Sequence, residues 1–168
     1  MGCGPLKSQE KQMAIGTSEG STVFIGPVTN ATTESALAAL TYVEIGSVES
    51  IGEFGPQAND SSFTPLKGPS VQHLKGAIDN GMLPIVYAHD PLDAGQIDLR
   101  EAAGTKFEYA IKIVLADEAD ANDTPTTFYA RGPVFGNRTN IGGANDVRKR
   151  TSNVGLNVFI EDPGAAVP

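Results

Sequence analysis

The chain has 168 residues and a mass of 17.5 kDa, the size of one domain able to bury roughly 68–70% of its unfolded surface. Its 20 acidic and 12 basic residues give a formal net charge of −8, which argues against a protein that grips nucleic-acid phosphates through clustered Lys and Arg. Nineteen Gly, eleven Pro, no Trp and 40% hydrophobic residues describe a turn-rich globular chain that leans toward β structure and is too apolar to be wholly disordered.

Residues 1–20 show no sustained periodicity and read as an N-terminal arm. The arm holds Cys3, the single cysteine, so neither an intramolecular disulfide nor a Cys-based metal cluster is expected, and a reducing cytoplasm suits the chain. It has no apolar core of a secretory signal, and Leu6 stands where acylation at Gly2 needs Ser or Thr. No run of about 18 apolar residues predicts a membrane-spanning helix.

A strand is expected over 22–25, stopped by Gly26-Pro27. Residues 35–40, rich in Ala and Leu, suit one helical turn. Residues 41–45 alternate, with Val43 and Ile45 on one face and Tyr42 and Glu44 on the other. Next, residues 46–69 carry Gly46, Gly52, Gly55, Pro56, Pro65, Gly68 and Pro69 and read as one long loop, with a possible short strand over 61–63. Loops longer than about 15 residues inside a compact domain are usually functional. Ile51, Phe54 and Phe63 within it would be odd if they met only water. The preferred reading packs this loop on another subunit; the alternative folds it back on its own domain.

Residues 71–89 read as two short strands around Asn80-Gly81, which marks either a hairpin or a bend in one long strand. Asp90 with Pro91 then opens a helix over 91–103, with Leu92, Leu99 and Ala103 on one stripe, Ile97 beside it and Gly104 to end it. Residues 106–113 alternate strictly, which predicts Phe107, Tyr109, Ile111 and Ile113 inward and Lys106, Glu108, Ala110 and Lys112 outward. An acidic loop at 117–125 holds Asp117, Glu118, Asp120 and Asp123. Strands over 126–135 and 147–160 follow, the latter with Val154, Leu156, Val158 and Ile160 on one face, and residues 163–168 form a short tail. The expected fold is mainly β: a β-sandwich or partly open barrel over 21–162 with one flanking helix, a long inter-strand loop and extended termini.

Catalytic constellations are absent. The only histidines are His73 and His89. His89-Asp90 with Asp93 is more simply a helix cap than a metal site. No Gly-x-Ser-x-Gly, nucleophile–base pair or His-Glu-x-x-His occurs. The glycine-rich stretch 132–143 reads as a hairpin connection because no Gly-Lys-Ser/Thr follows it. The acidic loop lacks calcium-loop spacing. Tyr129 and Phe135 are too few to make an aromatic platform for a carbohydrate-binding module. The one cationic cluster, Arg148, Lys149 and Arg150, suits a solvated face or pairing with a neighbour's acids.

An ordered set of short stretches carries a resemblance. It comprises Glu49-Ser-Ile-Gly-Glu-Phe-Gly55, Phe63-Thr-Pro-Leu66, Leu74-Lys-Gly76, Asp93-Ala-Gly-Gln-Ile97 and Arg150-Thr-Ser-Asn-Val-Gly-Leu-Asn-Val158. In order and spacing, residues 22–161 resemble the tail tube (major tail) proteins of lambda-like long-tailed bacteriophages. The resemblance implies a structural subunit with no catalytic residue, metal or cofactor. It implies protomers closing into six-fold rings that stack into a hollow tube, in the virion tail after assembly in the host cytoplasm. The long loop would reach the adjacent ring, and the terminal arms would order on assembly. Implied partners are further copies of the chain and the tape measure, tail tip and tail terminator proteins, with DNA passing through the lumen unbound and no membrane involved. Candidate inter-subunit contacts are Ile51, Phe54, Phe63, Leu66, Arg148, Lys149 and Arg150, and candidate lumen acids are Glu44 and Glu108. The competing expectations are a tube protein of a contractile or secretion-type injection machine, and a β-sandwich binding module of tail-tip or adhesin type.

Overall fold

The computed structural model describes residues 17–118 and 123–164. Most of the expected arm (1–16), part of the acidic loop with Asp120, and the last four residues of the tail lie outside the described residues.

The longest strand, β8 (Thr127–Asn140), organises the fold. Its first half pairs with β7 (Glu108–Val114) on one edge and β10 (Val158–Asp162) on the other. Its second half pairs with β9 (Lys149–Gly155). A bulge between Val134 and Gly136 separates the halves, which lets one strand serve two layers, since bulges bend and twist a strand. The first layer runs on from β7 to β1 (Thr22–Val28) and β2 (Val43–Glu44). The second runs from β9 to β6 (Met82–Ala88) and β3 (Val48–Ile51). All of these pairings are antiparallel, and the layers form an open sandwich, as expected, rather than a closed barrel.

The core lies between the layers. Val23, Ile25, Ile111, Ile113 and Ala130 come from the first and Leu83, Ile85, Tyr87 and Val154 from the second; all are buried. Their alternation with partly exposed residues is what a sheet with one packed face requires. Gly132 and Gly155 mark a close backbone approach. A Cβ on Gly132 would sit 1.6 Å from the Gly155 carbonyl oxygen, so only glycine fits where β8 crosses the strand break after β9.

Two helices flank the sandwich: α1 (Glu34–Ala38), which overlaps the expected turn, and α2 (Ala94–Ala102). The α2 cap is Asp93 rather than Asp90. One carboxylate oxygen of Asp93 accepts from Gln96 N at 2.8 Å and the other from Gly46 N at 3.1 Å. Leu92 is exposed, and the buried stripe is Gly95, Gln96, Leu99 and Ala102. Gln96 is buried with both ends satisfied. Its Nε2 donates to the Gly46 and Ala88 carbonyls (3.0 and 2.9 Å), and its Oε1 accepts from Asp90 N (2.9 Å). The buried amide therefore carries no unpaired-polar penalty and pins the helix across two strand ends.

Several expectations change. Segment 46–69 is not a single loop, since it contains β3 and β4 (Gln57–Phe63). β4 pairs with β5 (Gln72–Asp79). Asn80-Gly81 joins β5 to β6, which do not pair with each other, so it is a bend between two sheets and not a hairpin turn. Phe107 is 61% exposed because β7 begins one residue later, whereas Ala110, expected outside, is fully buried. The stretch 132–143 is strand as far as Asn140. Segment 147–160 breaks at Leu156-Asn157 into β9 and β10.

Candidate assembly surface

β4 and β5 form a two-stranded ribbon on which no other strand or helix packs substantially. Every residue of β5 is exposed, and so is every residue of β4 but Ala58. Isolated two-stranded hairpins are at best marginally stable in water, so a ribbon with so little support needs either exceptional turn chemistry or a partner.

The pairing register sorts its side chains onto two faces. Ala58 opposes Ile78, Ser61 opposes Leu74 and Phe63 opposes Gln72, and directly opposed residues share a face. Phe63, Leu74 and Ile78 therefore stand together, 57%, 58% and 62% exposed. Leu66 and Val71, in and beside the connecting turn, extend the apolar surface. The other face is charged. Asp60 opposes Lys75, Ser62 opposes His73 and Gln57 opposes Asp79, and His73 Nδ1 lies 2.7 Å from Asp60 Oδ2. A bulge between Ala58 and Asp60 fits against Gly76, where a Cβ would lie 2.9 Å from the Asn59 carbonyl oxygen.

The residues expected to make assembly contacts fall into two groups. Phe63 and Leu66 are on the ribbon. Ile51 and Phe54 are not free surface. Ile51 pairs with Ile85 on β3, and Phe54 meets Phe128 edge-on (centroids 5.5 Å apart, planes at 86°) and Phe159 (5.9 Å, 64°). Both pack against the core. The alternative left open for this segment, that it folds back on its own domain, thus holds for residues 48–54.

In the basic run, Lys149 Nζ pairs with Glu49 at 2.5 Å, and Arg150 Nη1 donates to Asn137 Oδ1 at 3.1 Å. Asn137 Nδ2 in turn donates to the Tyr87 hydroxyl at 2.7 Å. Arg148 is exposed, and its carbonyl accepts from His89 N. Of the two candidate lumen acids, Glu44 is exposed on β2. Glu108 is engaged: Arg131 Nε lies 2.7 Å from Oε2, and Asn157 Nδ2 donates to Oε1 at 2.5 Å.

The sequence expectation did not include Leu74 and Ile78 among the exposed apolar residues. For Leu74 the signal was present, since His73 and Lys75 flank it, whereas the alternation breaks at Gly76-Ala77 before Ile78. Among the described residues no group of three or more His, Cys, Asp or Glu could hold a metal ion, and no helix is long and apolar enough to cross a membrane.

No protein-family model matches the sequence, and no curated protein sequence matches it. Solved structures share its fold. A chain of the SPP1 tail tube is 11% identical with a TM-score of 0.61, covering 88% of this chain and 78% of that one. A chain in the anti-feeding prophage (AFP) baseplate is 12% identical with a TM-score of 0.68, covering 88% and 95%. A chain from the sheath/tube terminator of the extracellular contractile injection system PVC is 12% identical with a TM-score of 0.61, covering 84% and 92%.

Proposed function

We propose that this chain is a structural tube subunit of the phage-tail type, with no catalytic role, and that its β4–β5 ribbon carries contacts between copies. The observation behind the reading is the ribbon's uncovered apolar face. Covering Phe63, Leu74 and Ile78 stabilises an assembly by about 1 kcal/mol each, because each is little more than half exposed and full burial of such side chains is worth about 1.5–3 kcal/mol. Repeated around a closed ring, such modest contacts act together. The shared fold with tail-tube and injection-system chains supports the same reading.

In finer detail, six copies at −8 each close a ring of formal charge −48, and stacked rings form the tube of a virion tail. A negative bore repels duplex phosphates and lets DNA slide, where a basic one would release counterions and hold it. Glu44, exposed and without an ion pair among the described residues, is the candidate lumen acid. Arg148 remains the candidate cation for a neighbour's acids. Tape measure, tail tip and terminator proteins are the expected partners.

Electron microscopy of the concentrated subunit tests the proposal. Wild type is expected to form rings or tubes of uniform bore, and the double variant Leu74→Ser/Ile78→Ser to remain monomeric with an unchanged melting temperature. A wild-type chain that stays monomeric when concentrated, even with a tail-tip complex supplied, would overturn it. A second reading, the tube of a contractile injection machine, draws on the similarity to the AFP and PVC chains. Micrographs of native particles separate the two by the presence or absence of a contractile sheath.

A further inference from the structure

We propose that Asn80-Gly81 is a self-processing site. The Gly81 backbone nitrogen attacks the Asn80 side-chain amide, with Asp79 taking its proton, and Asn80 is converted to aspartate and isoaspartate through a cyclic imide. The site is built from this chain's own residues and does not rest on the tube-subunit reading.

Closing the imide ring needs an unhindered nitrogen on the following residue, a side-chain amide free to turn toward it, and a backbone not held in a ladder. Of the nine asparagines in the chain, only Asn80 precedes a glycine. Gly81 stands at φ +75°, which glycine adopts without strain. A Cβ placed there would have only the Gly55 carbonyl oxygen near it, at 4.0 Å, so its surroundings are uncrowded. Asn80 belongs to neither flanking strand, since β5 ends at Asp79 and β6 begins at Met82. Its side chain makes one long hydrogen bond among the described residues, Nδ2 to the Asn157 carbonyl at 3.4 Å. Its own carbonyl accepts from Gly55 N, also at 3.4 Å. Asn137 is the contrast. It lies within β8, its Nδ2 donates to the Tyr87 hydroxyl at 2.7 Å, and its Oδ1 accepts from Arg150 Nη1 at 3.1 Å. That amide cannot turn without breaking both bonds.

The proton to be removed already has an acceptor. Gly81 N donates to Asp79 Oδ1 at 2.9 Å, and Asp79 is exposed. As the bond from Gly81 N to Asn80 Cγ forms, Asp79 takes the Gly81 proton and returns it to Nδ2, and the Cγ–Nδ2 bond breaks with ammonia as the leaving group. A positioned carboxylate within hydrogen-bond reach is suited to such a transfer. No oxidation or reduction is involved. Water then opens the imide. Cleavage at Cγ leaves an aspartate, and cleavage at the backbone carbonyl leaves isoaspartate, with the chain running through Cβ. An open cleft of about 570 Å³, lined by Glu53, Phe54, Gly55, Pro56, Gln57 and Gly81, brings water to the site.

The site lies between two ladders. The last rung of β4–β5 pairs Gln57 with Asp79, and the first rung of β6–β9 pairs Met82 with Gly155. Isoaspartate inserts one backbone atom between these rungs. Either product adds a carboxylate next to Asp79, beside a cleft that already holds Glu53, and makes the net charge of −8 more negative by one. Conversion therefore alters how the β4–β5 ribbon is set on the sandwich, through covalent length and like-charge repulsion together.

Peptide mapping of the full chain tests the proposal. Trypsin releases residues 76–100, in which Asn80 is the sole asparagine. After incubation at pH 7 and physiological temperature, this peptide is expected to carry aspartate and isoaspartate in place of Asn80. Peptides with the other asparagines should stay unchanged, and the aged chain should become a methyl acceptor for an isoaspartyl methyltransferase. The rate in the folded chain should lie within about tenfold of the rate in urea, a factor of ten being about 1.4 kcal/mol of barrier. An Asn80 that stays intact in the folded chain while converting in urea overturns the proposal, as does conversion spread evenly over the other asparagines. Asp79→Ser keeps an acceptor for Gly81 N but removes the base. Its conversion should be several-fold slower at pH 7 and rise in proportion to hydroxide, where the wild type rises less steeply. An unchanged rate and pH profile in Asp79→Ser overturns the part given to Asp79.

Discussion

Replacing Phe54 with Ala separates two roles that the sequence alone leaves open. If Phe54 were an inter-subunit contact, the variant would fold normally and fail to assemble. The structure instead places the ring half-buried against Phe128 and Phe159 and the core. Truncating a fully buried Phe typically costs about 3–5 kcal/mol. A half-buried ring gives about 2 kcal/mol, a figure that already includes two edge-on aromatic contacts worth about 0.5–1.5 kcal/mol each. The stacked Phe128–Phe159 pair, 5.8 Å apart, survives the change, which keeps the loss from being larger. At about 2–4 °C per kcal/mol for a domain of this size, the melting temperature should fall by about 4–8 °C. Circular dichroism melts of the dilute subunit measure this. Phe63→Ala, on the exposed ribbon, serves as the contrast and should shift melting by no more than about 2 °C, as surface substitutions do. If Phe54→Ala melts like wild type yet abolishes self-association, the packing argument is wrong and Phe54 faces another copy.

Two further outcomes follow from the geometry. Gly132→Ala would place a Cβ against the Gly155 carbonyl, so it is expected to yield little soluble folded protein, whereas Gly136→Ala, with nothing within 4 Å of the added carbon, should express and melt nearly normally. Burial, with the nearby Tyr129 adding to it, pushes the Tyr42 hydroxyl up to about 12, and it donates to the Leu37 carbonyl at 2.9 Å. Above pH 10 the unfolded chain's tyrosine ionises while the folded one holds its proton, so stability complete below pH 10 should decline between pH 10 and about 12. Urea melts across that range should show the decline shrinking in Tyr42→Phe, with Tyr129, also pushed up by burial, accounting for a further part.

The strands that build the sandwich were legible where local pattern coincides with burial. Alternation located β7, and the Asp and Gly bracketing an Ala/Leu-bearing stretch located α2. What failed was whatever depends on distant partners. β4 reads Gln-Ala-Asn-Asp-Ser-Ser-Phe, a run of poor strand formers, and becomes a strand only by pairing with β5. Phe54 looked stranded in a loop because its partners, Phe128 and Phe159, lie far along the chain. Phe107 was placed inward because its alternation continues one residue beyond the ladder that gives alternation its meaning. For the candidate assembly surface, the sequence showed that residues 46–69 were unusual and too apolar for a solvent loop. Only the register of β4 against β5 showed which side chains share the uncovered face.

The central position of β8 also sets the order in which a nascent chain can acquire structure. β1 finds its main partner only in β7, and β6 is completed only by β9, so neither layer can close until the last quarter of the polypeptide has left the ribosome. The β4–β5 ladder joins segments close in sequence, separated by residues 64–71, and is the first extensive pairing able to form. During translation, at about 5–20 residues per second, a ribbon with an uncovered apolar face is thus displayed for seconds on a chain with no finished core. Its charged face, with Asp60, Lys75 and Asp79 along it, makes indiscriminate strand addition at its open edges less favourable during that interval.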